Sequence, residues 1–286
     1  MKTIGVIANL GKPGTKELLP KLQEKAEAYG LRLLYDQSCF EALPGGPCHD
    51  GESLFSESEA ILTLGGDGTL LSAVQRMGKN PVPLLGVNFG KLGFLTSVTQ
   101  DEVDSALKAL AENTALPSER TLLECSTTTS AGNERTRALN DVVLSWGTSS
   151  HIAHLHVYVD GEHLTTYTCD GLILSTPTGS TGHSLSAGGP ILSPDSNSLV
   201  LSPICPHSMT VRPVVLPSSA TIKIELDEDS KPLVLACDGQ PQGEVKAGDS
   251  LEAKFGDVSV QLLHVPGYSY WEVLRTKLHW RGSNVE

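Results

Sequence analysis

Ile61-Leu62-Thr63-Leu64-Gly65-Gly66-Asp67-Gly68-Thr69-Leu70-Leu71 is the stretch whose reading decides the fold. An apolar, partly β-branched run reads as a buried strand, stops at three glycines around one aspartate, and turns apolar again at Leu70, Leu71, Val74 and Met77, at helical spacing. Glycine has no Cβ and tolerates unusual backbone angles, so Gly65, Gly66 and Gly68 predict a tight strand-to-helix turn that a ligand can approach closely. The free N–H groups at the start of such a helix seat phosphate, and Thr69 adds a hydroxyl. Asp67 is the anomaly, because a carboxylate repels phosphate unless a metal or a proton-bearing hydroxyl stands between them. The turn alone leaves two readings open: Asp67 caps the helix, or it does base or metal chemistry.

Outward from the turn, the first part of the chain alternates strands and helices. Buried strands are expected at 3–9, 31–35, 61–64 and 82–87, and a helix carries Leu18, Leu22, Ala26 and Tyr29, with Pro20 obscuring its start. Residues 36–53, which include Pro44-Gly45-Gly46-Pro47, read as a long surface loop or lid. A second turn, Asn88-Phe89-Gly90-Lys91-Leu92-Gly93, precedes a helix expected at 101–111. Alternation of this kind predicts a mostly parallel sheet, which binds ligands at the C-terminal ends of its strands, where both glycine turns fall. Whether the second turn lines that crevice or only shapes a bend stays open.

After Pro117 short alternating strands dominate, at 122–129, 138–145, 153–159, 171–176, 198–202, 221–226, 233–237 and 258–265, with Asp160-Gly161 as a hairpin cue. The expected architecture is a two-domain α+β protein. Residues 1–116 plus 267–286 form a Rossmann-like α/β domain, and 117–266 form a β-rich, sandwich-like domain. The helical pattern of Trp271, Leu274 and Leu278 is expected to pack back on the first domain.

With 286 residues, 39% of them hydrophobic and 19% charged, the chain has the composition of a folded globular protein. A net charge of −12 without a dense basic run argues against nucleic acid or an anionic membrane as partner, and no apolar run is long enough to span a bilayer. Met1-Lys2 leads directly into a strand, so no signal peptide is expected. The six scattered cysteines contain no CxxC pair, which argues against a zinc site and for reduced thiols in the cytoplasm.

The densest polar constellation runs from Asp170-Gly171 through Thr176-Pro177-Thr178-Gly179-Ser180-Thr181-Gly182-His183-Ser184-Leu185-Ser186 to Gly188-Gly189-Pro190. Hydroxyls and glycines packed so closely surround a ligand with donors and acceptors without bulk, a lining suited to ribose and base. Asn140-Asp141 falls inside an apolar run, where one of two adjacent strand residues must face the core or a cleft and needs partners. Binding and core hydrogen bonding are both open there. His154 and His156 share a strand face near His151, but no acidic or cysteine residue stands at ligand spacing. Neither the dinucleotide fingerprint G-x-G-x-x-G nor the P-loop pattern occurs.

Together, Gly65-Gly66-Asp67-Gly68, Asn140-Asp141, Asp170-Gly171, the Thr176–Thr181 run, Gly188-Gly189-Pro190, Asp238-Gly239-Gln240 and Tyr268-Ser269-Tyr270-Trp271 resemble the NAD kinase family over nearly the whole chain. The resemblance implies transfer of a phosphoryl group to the 2′-hydroxyl of the adenosine ribose of NAD. The donor would be ATP or polyphosphate, and Mg²⁺ or another divalent cation would be carried mainly by the nucleotide rather than by protein ligands. It also implies a homodimer or homotetramer. By position, Asp67 would be the base with Gly68 beside it, and Gly65, Gly66, Gly68 and Thr69 would form the phosphate loop. Asn140, Asp141, Asp170, Thr178, Thr181, Gly182, His183, Ser184, Leu185, Ser186 and Gln240 would contact NAD. His151 and Thr168 fall where some members carry arginines that help choose between NAD and NADH. The family more often has Glu at the position of Asp141, and Ala-Tyr at the position of Gly182-His183. The nearest rival is a lipid or sphingoid-base kinase sharing the first turn, for which an apolar acceptor cleft or basic membrane face is expected. A non-catalytic nucleotide sensor is the rival of another class, and it should lack the carboxylate of Asp67.

Overall fold

The computed structural model describes residues 1–43, 48–78, 81–129, 132–147 and 152–280. The Pro44-Gly45-Gly46-Pro47 stretch and His151 lie outside the described residues. The chain forms two compact units, residues 1–119 with 260–286, and residues 120–259.

In the first unit the elements are β1 (Lys2–Ala8), α1 (Thr15–Ala28), β2 (Leu31–Asp36), β3 (Cys48–His49), α2 (Gly51–Glu57), β4 (Ala60–Gly65), α3 (Asp67–Arg76), β5 (Leu84–Asn88), β6 (Val98–Thr99) and α4 (Val103–Glu112). The strands run parallel in the order β5-β4-β1-β2-β3, with Ile7 opposite Thr63 and Leu64 opposite Val87. Leu19, Leu22 and Ala26 of α1 and Ala106 and Leu107 of α4 are fully buried against strand residues Ile4, Val6, Leu62 and Leu64. That packing explains why Pro20 sits inside α1 rather than marking its start: three buried apolar contacts outweigh the one helical hydrogen bond that proline cannot donate. Within the loop expected over 36–53, residues 48–49 form β3 and residues 51–53 begin α2. Asp50 caps α2 by accepting from Ser53 N at 2.8 Å, and Leu54 and Phe55 are buried. Seven residues with two apolar anchors are too few to show a period in the sequence.

The second unit contains most of β7 (Leu116–Thr129), β8 (Gly132–Ala138), β9 (Asp141–Ser145), β10 (Ala153–Val159), β11 (Glu162–Cys169), β12 (Gly171–Ser175), the one-turn α5 (His183–Ser186), β13 (Ser198–Ile204), β14 (Val214–Pro217), β15 (Ile222–Leu226), β16 (Leu233–Cys237), β17 (Gln240–Val245) and most of β18 (Ser250–His264). One antiparallel sheet has the order β14-β13-β12-β9-β16-β17, and a second ladder runs β11-β10-β15-β18. Alternate residues of the two layers, Val142, Leu144, Leu172 and Leu174 from one and Leu155, Val157, Ile222 and Ile224 from the other, make one core. The end of β18 belongs to the first unit, where Leu262 pairs with Leu84, and α6 (Tyr270–Lys277) follows with Val273 and Leu274 buried.

Several expectations for the strands need correction: β7 starts at Leu116 rather than 122, and β11, β14 and β17 lie outside the expected strands. The strand expected over 138–145 is two elements, because β8 ends at Ala138 and β9 starts at Asp141, with Leu139 and Asn140 in a bend between them. The last strand starts at Ser250 rather than 258. Leu251 and Ala253 continue the inward alternation, and Gly256 keeps the strand in register where a Cβ would stand 2.4 Å from the Glu124 side chain.

Candidate active site

Asp67 does not cap its own helix. Gly66 is the N-cap, extended and without a side-chain cap, and Asp67 is the first helical residue. Its carboxylate instead accepts from Phe94 N (2.8 Å, Oδ2), Leu95 N (3.2 Å, Oδ1) and the Thr96 hydroxyl (3.4 Å, Oδ1). The second glycine turn therefore closes on the carboxylate of the first. Gly93 makes this possible, since a Cβ there would stand 1.9 Å from Asp67 Oδ1. Thr96, fully buried, also takes the Gly93 N–H at 2.9 Å, and Asn88 Nδ2 donates to Lys91 O at 2.5 Å. The segment after this second turn braces Asp67, a role that neither reading of the turn includes.

Gly68, next in the helix, is exposed, and a Cβ on it would meet nothing within 4 Å. No internal packing demands glycine at 68. A cavity of about 480 Å³ opens here, at the C-terminal end of β1, lined by Asn9, Ser38, Gly68, Thr69, Ser72 and Arg76. Arg76 is anchored by Asp36 at 2.5 Å. Burial raises the Asp36 pKa, but hydrogen bonds from Arg76 and Ser38 outweigh it and hold the carboxyl below its ordinary value. The cavity wall thus presents hydroxyls, the first turn of α3, the fixed Arg76 guanidinium and the Glu41 carboxylate.

In the second unit the bend before β9 is organised by a residue outside the expected contact set. Asp238 accepts from three successive amides, Leu139 N at 2.8 Å, Asn140 N at 2.7 Å and Asp141 N at 3.2 Å, and its own N–H donates to Asp141 O at 2.9 Å. Asn140 O takes the Thr176 N–H at 2.9 Å, and Thr176 Oγ1 donates to Leu139 O at 2.6 Å. Gly179 presses on the same bend, where a Cβ would stand 2.2 Å from Asn140 O. Asn140 Oδ1 is shielded from solvent with no hydrogen-bond partner among the described residues. Asp141 is 6% exposed, and burial, followed by the charge of Asp238, raises its carboxyl to about 7. The sequence signal for Asp238 was the dipeptide Asp238-Gly239, a hairpin cue; for Phe94, Leu95 and Thr96 there was none, because they act mainly through backbone N–H groups.

The hydroxyl-rich segment divides by burial. Ser180 and Ser184 are structural: Ser180 Oγ donates to Pro177 O at 2.7 Å, and Ser184 Oγ bonds Ser202 Oγ at 2.9 Å under Gly189. Gly182, His183 and Ser186 are exposed, while Thr178, Thr181 and Leu185 are half-buried. Gln240 is exposed beside the Asp238 turn. Asp170 and Thr168 lie at the other end of β11 and β12. There the Asp170 carboxylate is 3.8 Å from His207 Nε2, and the Thr168 hydroxyl meets His154 Nδ1 at 3.2 Å.

The chain thus combines a parallel α/β unit, whose glycine turn carries a braced carboxylate, with an antiparallel β-sandwich unit. Residues 51–115 match the family model of the ATP-NAD kinase N-terminal domain and residues 139–265 that of the C-terminal domain. The chain is 38% identical to an NAD kinase of Gemmatimonas aurantiaca over 98% of its length and 96% of the relative's. It is 39% identical to one of Geotalea daltonii over 98% and 99%. A solved structure of yeast NADH kinase complexed with NADH superposes with a TM-score of 0.90 at 28% identity, covering 99% of this chain and 89% of that one. This chain belongs to the NAD kinase family.

Proposed function

We propose that the protein phosphorylates the 2′-hydroxyl of the adenosine ribose of NAD, with ATP or polyphosphate as donor. The observation that carries this reading is Asp67, a carboxylate fixed by Phe94, Leu95 and Thr96 at the first turn of α3, beside a glycine that nothing inside the protein requires. In the proposed step the ribose oxygen attacks the terminal phosphorus as the bond to the leaving phosphate breaks, and Asp67 takes the hydroxyl proton. Gly65, Gly66, Gly68 and Thr69 would seat phosphate through the N–H groups of the turn. Asn140 and Asp141 would hold the dinucleotide, with Thr178, Thr181, His183, Leu185, Ser186 and Gln240 around it. Buried Ser184 would support that lining through Ser202 rather than touch the ligand. Asp170 and Thr168 are proposed at the far end of the nucleotide.

A divalent cation carried by the phosphate oxygens of the nucleotide is what the family resemblance implies. Mg²⁺ bound in that way would neutralise charge on the transferred group. The six free cysteines support a reducing, cytoplasmic setting, and a homo-oligomer is the assembly that the resemblance implies. The experiment is to incubate the protein with NAD, Mg²⁺ and either ATP or polyphosphate and follow NADP. Formation with one donor identifies it, and no NADP with either rejects the reading.

A further inference from the structure

We propose that Asp238 is a positioning residue for the dinucleotide: its carboxylate sets the bend at 139–141 that aims the Asn140 carboxamide at the ligand. The inference rests on the kinase reading for the identity of that ligand. Asp238 and Gly239 form the turn between β16 and β17 with φ of 49° and 76°, the paired left-handed geometry of a two-residue hairpin, which Asp-Gly adopts readily. The turn places the carboxylate against three successive N–H groups at 2.7–3.2 Å. In an extended strand successive N–H groups point to opposite sides, so one acceptor serving three of them requires a bend.

The bend is fixed from every side except one. Asn140 N is held by Asp238, Asn140 O by Thr176 N, and the backbone face by Gly179. What is left is Asn140 Oδ1, buried without a donor among the described residues. A shielded amide oxygen without a donor is costly, and a ligand N–H or O–H removes that cost on binding. A ribose hydroxyl or an exocyclic amine of a dinucleotide has this chemistry. Asp238 holds the bend through its carboxylate, so its effect on binding should pass through Asn140.

The test is a double-mutant cycle in steady-state kinetics. Asp238→Gly removes the carboxylate while tolerating the left-handed backbone, and Asp238→Asn keeps one acceptor oxygen for Asn140 N and Asp141 N. Asp238→Gly should raise KM for NAD about tenfold or more, the loss of one well-made hydrogen bond at least, with Asp238→Asn between it and wild type. Values of kcat and of KM for ATP should stay within about twofold. Adding Asp238→Gly to Asn140→Ala should add little, because Asp238 acts through Asn140. An unchanged KM for NAD, an equal rise for both substrates, or full additivity with Asn140→Ala overturns the proposal. The same cycle read as NAD affinity by calorimetry separates the two claims. If wild type binds NAD but makes no NADP, the kinase reading falls while the cycle still decides the role of Asp238; if wild type does not bind NAD, both fall.

Discussion

At the scale of the residue, Asp67 carries two tasks on one carboxylate. It is the proposed proton acceptor, and it also accepts the Phe94 and Leu95 amides. Asn in its place keeps one acceptor oxygen and turns an NH₂ group toward an N–H donor. Asp67→Asn is therefore expected to lower kcat by roughly 10²–10⁴ and to destabilise the protein by about 1–3 kcal/mol, the cost of an orphaned buried donor. Turnover assays and thermal melts check both; normal turnover with a lowered melting temperature would leave only the brace. Asp141 makes a separate, pH-dependent prediction. Its folded value of about 7 lies above the ordinary carboxyl value of about 3.9, so between these pH values the native state keeps a proton that the unfolded chain has lost. Stability should fall as pH rises from about 4 to about 7, by on the order of 4 kcal/mol from this group, and then level off. Asp141→Asn should flatten that slope in denaturant titrations at pH 5 and pH 7.5. An undiminished slope would place its origin elsewhere.

At the scale of the element, the strand–turn–helix from β4 into α3 was readable because its signals are local: an apolar run, three glycines, then helical spacing. The brace over Asp67 was not, because the Asn88–Gly93 turn and Asp67 are joined only by packing. Gly93 is where that packing is most exacting. Gly93→Ala would put a Cβ inside the Asp67 carboxylate, so the turn must move off it. The expected result is a loss of about 1–3 kcal/mol, as in other overpacked sites, with turnover reduced at least tenfold while β1, β4 and β5 stay protected from hydrogen exchange. Wild-type turnover in Gly93→Ala would show that the closed turn is not needed for the reaction. The bend before β9 was misread for a similar reason. Ala138-Leu139-Asn140-Asp141-Val142 has the composition of a continuous strand, and only Asp238, almost 100 residues later, breaks it.

At the scale of the molecule, the first unit is closed by the end of the chain. Leu262 pairs with Leu84, and α6 buries Val273 and Leu274. Leu274, 2% exposed, should cost about 2–5 kcal/mol when cut to Ala. The loss should appear in residues 1–119 and not in 120–259. Hydrogen exchange can see this: β1, β4 and β5 should lose protection in Leu274→Ala while β9 and β12 keep theirs. Equal loss throughout would mean that the chain unfolds as one body.

The sequence by itself determined the alternating α/β half, the β-rich half, the glycine turn with its aspartate, and the resemblance on which family membership could be expected. Each of these is carried by periodicity or by short motifs, whose physics is local to a few residues. Only the tertiary structure decided that Asp67 is braced by 94–96 rather than capping α3, that Ser184 is a buried structural hydroxyl, and that Asp238 shapes the bend at 139–141. It also showed that the last strand enters the core at Ser250. Those features depend on which backbone N–H meets which carboxylate across long sequence separations, and no composition or spacing encodes such a meeting until the chain has packed.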